Sequence, residues 1–410
     1  MEQKRDRTIL HCDMNGFYAS VELLELPHLR KVPMAVCGDP ESRHGIILAK
    51  NEIAKRCGIV TAETVWQARR KCPELVLVPP HHRKYREYSQ KINEIYLRFT
   101  DMVEPFSIDE SWLDVTGSLQ LFGTGKEIAD RIRKTVCEEL CLTLSVGVSF
   151  NKVFAKMGSE YKKPDATTVI SRQNYREILW PLPVAELLFV GQASAEKLAR
   201  MGIHTIGQLA QTQPSVLTGA FGKHGRQMYD YANGLEDSPV ARYSDREEIK
   251  SIGNGVTFRR NLRGEADIDV AVTALSDRVA TRLRKNQMKC SGVKVDIKDP
   301  QFRVISRQKQ IAPPTNTAAD LRTAAMELIR RSWTMDEPIR LITLTGIHLC
   351  PENEAVQLSL FESEEKGRSK TEQMERTMDS IRQKFGGAAI TYGGLMKNDI
   401  GIDIEEEKKQ

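Results

Sequence analysis

Three carboxylates lie inside segments that are otherwise apolar, and this constrains the chain more than any other feature. Thr8-Ile-Leu-His-Cys-Asp13 reads as a short buried strand that runs into Asp13. Asp109 and Glu110 sit in Glu104-Pro-Phe-Ser-Ile-Asp-Glu-Ser-Trp-Leu-Asp-Val115, an acidic cluster within an apolar hairpin. Burying a carboxylate is costly unless a cation or hydrogen bonds compensate it. Adjacent acids on a regular strand point to opposite faces. For Asp109 and Glu110 to share one ion the backbone must turn or bulge between them, which Pro105 and Ser107 favour.

Around these segments the pattern alternates. Phe17, Val21 and Leu24 recur at helical spacing over Gly16 to Leu24, and Pro33 to Cys37 reads as a second strand ended by Gly38-Asp39-Pro40. Ile46 to Ala49 is its expected hairpin partner; helices follow over 51–57 and 64–71, then a strand over Leu75 to Val78. Helices over 84–99 and 125–141 flank the acidic hairpin and precede the strand Leu144 to Val148. This alternation through the first 170 residues predicts an α/β or α+β catalytic core. Residues 184–238 read as helical and Gly-punctuated, and the polar stretch 241–251 separates them from a mixed segment. There, strands over 252–258, 290–297, 302–311 and 339–349 and helices over 268–286 and 318–333 predict a compact sheet-plus-two-helix domain.

At 410 residues the chain calls for two to four domains. Its charged N-terminus, Met1 to Arg7, argues against a secretory signal, and no apolar run approaches the roughly 18 residues of a membrane span. None of the eight cysteines forms a C-x-x-C pair, and no His or Cys near Cys137 and Cys141 completes a zinc set, so all are expected to be reduced thiols of a cytoplasmic protein. The net charge is only +5, but its distribution is uneven: Arg246 to Ile311 carries 15 Lys/Arg against 8 Asp/Glu, whereas Glu352 to Gln410 carries 9 against 13. A basic block followed by an acidic tail points to nucleic acid.

Oxygen ligands suit magnesium, which is usually held by one or two carboxylates and substrate phosphates. Two such ions about 4 Å apart suit in-line nucleotidyl transfer. The stretches Cys12-Asp-Met-Asn-Gly-Phe-Tyr-Ala-Ser-Val-Glu22 and Ser107-Ile-Asp-Glu-Ser111 resemble the two metal-binding motifs of Y-family DNA polymerases. Ser145-Val-Gly-Val-Ser-Phe-Asn-Lys-Val-Phe-Ala-Lys156, followed by Lys163-Pro164, resembles the next motif of that family, in the same order and spacing. The resemblance covers roughly residues 8 to 350 and is closest to the DNA polymerase IV branch.

The resemblance implies an α+β multidomain polymerase of right-hand architecture, with an α/β palm and a C-terminal sheet-plus-two-helix little finger. It implies a palm over 1–24 and 79–168, small fingers over 25–78, a helical thumb over 169–240, a linker over 241–250, a little finger over 251–350, and a tail. It implies that Asp13 and Asp109 bridge two Mg2+ ions, with Glu110 completing the primer-side ion and the Met14 carbonyl offered to the nucleotide-side ion. Tyr18 takes the position of the family's steric gate, with Phe17 as a nucleotide-pocket neighbour, and Lys163 that of a triphosphate-binding lysine. Where many polymerase IV enzymes carry Tyr and Arg, this chain has Glu52 and Lys55; Lys55 keeps the charge without the guanidinium fork, and Glu52 is expected to face Lys55 or another base.

The partners implied are primer-template DNA, dNTPs and a sliding clamp, for a monomeric enzyme. Phe189 to Leu209 resembles a helix–hairpin–helix in which backbone amides near Gly191 hold a phosphate. Arg259, Arg260 and Arg263 are candidates for backbone phosphate contacts on the little finger. Gln357-Leu358-Ser-Leu360-Phe361 resembles the bacterial clamp-binding pentapeptide, an extended peptide with a glutamine and apolar anchors. The alternative is a non-catalytic DNA-binding scaffold on the same fold, which would require loss of a metal ligand. The resemblance implies lesion bypass, and, with no segment left over for a proofreading exonuclease, it also implies low fidelity.

Overall fold

The structure, a computed structural model, describes residues 6–39, 45–245, 248–354, 365–396 and 398–402. The clamp-like peptide at 357–361 lies outside the described residues. The chain divides into two compact units, residues 1–246 and 247–410.

Among the described residues, eight strands of the first unit form two sheets: β1 (Ile9–Met14), β2 (Met34–Cys37), β3 (Ile47–Lys50), β4 (Val76–Val78), β5 (Val103–Pro105), β6 (Glu110–Asp114), β7 (Leu144–Ser149) and β8 (Thr167–Val169). The larger sheet has the order β5-β6-β1-β7-β8, antiparallel except for the β7–β8 pair. The alternation of strands and helices therefore yields a mixed α+β layer and not a parallel one. Leu10, Cys12 and Met14 alternate onto a face packed by Ile92 and Ile95 of helix His82–Tyr96 and by Ile128 and Ile132 of helix Gly125–Leu140. The intervening residues of β1, His11 and Asp13, point to the opposite face.

Helix Lys152–Tyr161 covers that opposite face, and Gly147 on β7 permits the approach. A Cβ there would lie 1.8 Å from the Ala155 carbonyl oxygen, so any side chain would push the helix off the sheet. The smaller sheet, β3-β2-β4, packs short helices Glu52–Arg56 and Val65–Lys71 around Ala35, Ile47, Ala54, Ala68 and Cys72. Helices from Tyr175 to Ala232 form a separate apolar cluster around Leu198, Ile206, Leu209 and Met228.

The second unit is a four-stranded antiparallel sheet of order β11-β10-β12-β9, from β9 (Ser251–Leu262), β10 (Met288–Lys298), β11 (Val304–Thr315) and β12 (Ile339–Pro351). Val293, Val295 and Ile297 alternate onto one face and share a core with helices Gly264–Lys285 and Ala318–Ser332. The other face carries Lys294, Asp296 and Lys298, the facing Thr345 and Thr343, and beyond them Gly253 and Gly255.

The acidic C-terminal segment, whose pattern suggests an amphipathic helix over 371–385 but no role, docks back on this unit. Helix Glu365–Phe385 brings Glu375 to the buried Arg284 guanidinium, and Asp379 Oδ2 accepts from Arg284 Nε at 2.6 Å. Arg382 pairs with Asp277 at 2.9 Å, and Leu395, Ile400 and Ile402 enter the apolar core. The basic block and the acidic tail thus neutralise each other in part within one unit.

Candidate active site

Strand pairing assembles the acids. Asp13 lies directly opposite Glu110, and His11 opposite Trp112, so Asp13, His11 and Glu110 share one face of the sheet. Asp109 falls in the turn before β6 begins. The Ser107 hydroxyl donates to Asp109 Oδ1 at 2.7 Å and accepts from the Asp109 amide at 3.3 Å, while the Asp109 carbonyl accepts from the Met14 amide at 3.1 Å. The turn supplies the break in strand geometry that two adjacent acids need to face one centre. After Met14, Gly16 adopts φ +55° as it starts helix Phe17–Glu25, and a Cβ there would meet the Lys50 carbonyl at 3.1 Å.

The acids differ in charge state. Burial pushes the Asp13 carboxyl up to about 7, against the opposing pull of Lys163, whose Nζ lies 2.8 Å from Oδ2. That Oδ2 is buried, and the Lys163 ammonium is its charge partner. Burial also raises Asp109, with the charge of Glu110 adding to it. Burial acts the same way on Glu110, but hydrogen bonds from His11 and Lys156 outweigh it and hold this carboxyl at about 2. His11 is wholly buried; its Nδ1 is 2.8 Å from Ser159 Oγ and its Nε2 is 3.3 Å from Glu110 Oε2. Burial lowers the imidazole to about 4, so it is neutral at pH 7.

Asp13, Asp109 and Glu110 line a cleft of about 590 Å3 that also takes in Tyr18, Lys50, Glu52, Lys55, Glu160 and Lys163. Phe17 is nearly all core, tilted against Tyr18 at 5.8 Å between ring centroids, whereas Tyr18 is half-buried at the cleft. Glu52 and Lys55 are exposed on one face of their short helix and pair at 3.9 Å. Lys163 bridges Asp13 and Glu160, at 2.8 and 2.9 Å. His11, Lys50, Lys156 and Glu160 had no assigned role from sequence. A signal for three of them exists: Lys156 and Glu160 are four apart on one helix, and His11 is two before Asp13 on one strand face.

The donor set fits divalent cations. Three carboxylates converge, and burial raises two of them, Asp13 in spite of the Lys163 ammonium beside it. An arrangement of that kind is relieved by positive charge.

The remaining candidates lie elsewhere. Gly191 is the N-cap of helix Gln192–Arg200, with extended backbone at φ −74° and open space beside its Cα. In the second unit Arg260 is held by two carboxylates: its guanidinium pairs with Asp267 and, at 2.6 Å, with Asp399 of the tail. Arg263 is exposed, and the Arg259 amide donates to the Ile400 carbonyl at 2.8 Å.

The family described as "impB/mucB/samB family" matches residues 12–160, and its C-terminal domain matches residues 249–360. A thumb domain described for DNA polymerase-iota matches residues 187–236. The chain is 43% identical to DNA polymerase IV of Acetivibrio thermocellus, over 97% of this chain and 99% of that protein. It is 36% identical to DNA polymerase IV 1 of Bacillus subtilis, over 96% of this chain and 94% of that protein. Among solved structures, a Y-family DNA polymerase chimera of Dbh and Dpo4 has the same fold, with TM-score 0.75 at 22% identity, over 84% of this chain and 99% of that one. With the three carboxylates at one cleft and relatives matched end to end, the chain belongs to the Y-family DNA polymerases, in their DNA polymerase IV branch.

Proposed function

We propose that this chain is a low-fidelity lesion-bypass polymerase that adds deoxynucleotides to a primer 3′-hydroxyl under the direction of a DNA template. The observation that carries the reading is the convergence of Asp13, Asp109 and Glu110 on a cleft wide enough for a nucleotide. Asp13 and Asp109 would hold both of two Mg2+ ions, Glu110 the ion on the primer side, and the Met14 carbonyl the ion on the nucleotide side. Bound there, such a pair supplies charge stabilisation for the attacking and leaving oxygens of an in-line displacement.

The chain's own groups bind and orient. Lys163, beside Asp13, and Lys55, across the cleft, are placed to meet triphosphate oxygens, and Glu52 tempers Lys55 through their ion pair. Tyr18 lies under the expected sugar position and excludes a 2′-hydroxyl by bulk. His11 and Lys156 keep the Glu110 carboxylate ionised and fixed in orientation. For DNA, the helix-free face of the second unit's sheet offers Lys294 and Lys298 among small polar neighbours, with Arg259 and Arg263 at its edge strand and beyond. Such contacts position a duplex without reading sequence. Gly191 would add a backbone amide for phosphate, and the peptide Gln357 to Phe361 would dock a sliding clamp. A scaffold role would require loss of a metal ligand, and all three carboxylates are present.

Primer extension with single dNTPs and Mg2+ tests this reading. Templated addition by the wild type, lost in Glu110→Ala, supports it. Wild-type protein that binds primed DNA yet adds nothing would favour the scaffold.

A further inference from the structure

We propose that Cys57, Cys72 and Glu74 form a binding site for a thiophilic divalent cation of the zinc class, separate from the catalytic centre. Among the described residues, two groups of three His, Cys, Asp or Glu side chains place one ligand atom each within 4.8 Å of the others. One contains the catalytic carboxylates Asp13 and Glu110 with His11; the other is Cys57, Cys72 and Glu74.

The local fold builds the cluster from two helix ends. Cys57 terminates helix Glu52–Arg56, its amide donating to the Ile53 and Lys55 carbonyls. Cys72 terminates helix Val65–Lys71, its amide donating to the Ala68 carbonyl. Both thiols therefore sit at the carbonyl ends of helices, where positive charge is favoured. Glu74 follows in the turn leading to β4. Sequence spacing alone hides the set, because the cysteines are separated by a helix, a loop and an isolated bridge between Ile46 and Thr64.

The chemistry of the donors selects the ion. Two sulfurs and one carboxylate oxygen suit Zn2+ and not Mg2+, and three protein ligands leave a fourth position for water. Sulfurs on a tetrahedral zinc are roughly 3.8 Å apart, from Zn–S bonds of about 2.3 Å. The ligand atoms already lie within 4.8 Å of one another, and of the three residues Cys57 is half-buried and Glu74 exposed. Cys72 is the fixed point, buried among Ala35, Ile47, Ala68 and Leu75. Burial pushes its thiol up to about 12, with Cys57 and Glu74 adding to the effect, so three groups that are anionic when deprotonated face one another. A dication is what allows them to ionise together.

A bound ion would tie the ends of two helices too short to be stable alone. The first of them carries Glu52 and Lys55 to the nucleotide cleft, so the ion would brace that wall from behind.

The test uses the full chain, purified metal-free under reducing conditions and titrated with Co2+ as a spectroscopic probe. Thiolate-to-cobalt charge-transfer absorption that saturates at one equivalent and is displaced by Zn2+ is the expected result. Cobalt on the catalytic carboxylates gives no such band, so polymerase activity and this site are read independently. Cys57→Ser is expected to lose the band, Glu74→Gln to weaken cobalt binding with the fold intact by circular dichroism, and Cys137→Ser/Cys141→Ser to keep it. Absence of the band in wild-type protein, or its survival in Cys57→Ser, overturns the proposal.

Discussion

Tyr18 stacks face to face on Tyr85, with ring centroids 3.9 Å apart and planes inclined by 13°. Tyr85 is itself wholly buried, and its hydroxyl donates to Glu22 Oε1 at 2.5 Å. The orientation of the Tyr18 ring is thus set by a buried, hydrogen-bonded neighbour. If Tyr18 excludes ribose by bulk, Tyr18→Ala raises ribonucleotide incorporation by about 10- to 200-fold, the usual worth of one packed contact in substrate choice. Tyr85→Phe keeps the stack and should keep sugar discrimination, whereas Tyr85→Ala should relax it in part. Competition between matched dNTP and rNTP measures all three, and wild-type discrimination in Tyr85→Ala would show that the stack is irrelevant.

Asp13 makes the metal-free protein sensitive to pH. Its carboxyl titrates at about 7 in the fold against 3.8 in a free chain, because burial outweighs the help of Lys163, and Glu160 and Glu110 add repulsion. Between those values the folded state binds more protons than the unfolded one. This group's contribution to stability therefore falls as pH rises from 3.8 to about 7. Without divalent ions, the melting temperature of the wild type should fall relative to Asp13→Asn across that window. A constant difference between the two proteins would remove Asp13 as the cause.

Much of this fold was legible because local pattern and tertiary role agree. The apolar strand ending on Asp13 is β1, displaced by one residue, and the acidic stretch 103–115 is the β5–β6 hairpin. The turn expected between Asp109 and Glu110 is present, held by Ser107. The pairing of Glu52 with Lys55 is also as read from the sequence. What escaped depends on distant partners. β8 is three residues long and exists through its pairing with β7. Glu375 and Arg284 are 91 residues apart, so no window of sequence reveals the tail's docking. For the same reason the sequence offered Arg260 as a phosphate contact without showing its carboxylate partner: Asp399, which pairs with it, is 139 residues away.

That docking yields a stability prediction. The Arg284 side chain is only 3% exposed, and besides Glu375 and Asp379 it donates to the Asn316 carbonyl at 2.8 Å. Glu375 also accepts from the Ala318 amide at the start of helix Ala318–Ser332. Removing one member of a buried pair strands the other charge and costs about 3–5 kcal/mol. Glu375→Ala should therefore destabilise the second unit by that amount, while Arg284→Met/Glu375→Leu should recover most of the loss. Denaturant unfolding of the two variants decides it. Equal stability of Glu375→Ala and wild type would mean that the tail is not part of the core.

Lys156 offers the sharpest division between supporting and reacting groups at the active site. It bonds Glu110 Oε2, which His11 Nε2 also approaches at 3.3 Å, and it rises from the helix that Gly147 admits against the sheet. Neither group is a metal-type oxygen donor, so both act through the orientation and charge of Glu110. Lys156→Gln should then lower primer extension by about 10- to 100-fold and raise the Mg2+ concentration needed for half-maximal rate, the usual result of losing a partner to a metal ligand. Its KM for the incoming dNTP should stay close to wild type, because Lys156 is not among the groups lining the nucleotide cleft. Lys156→Arg, which can still donate to Glu110, should recover part of the rate. A variant that loses dNTP affinity with its Mg2+ dependence unchanged would instead make Lys156 a substrate contact.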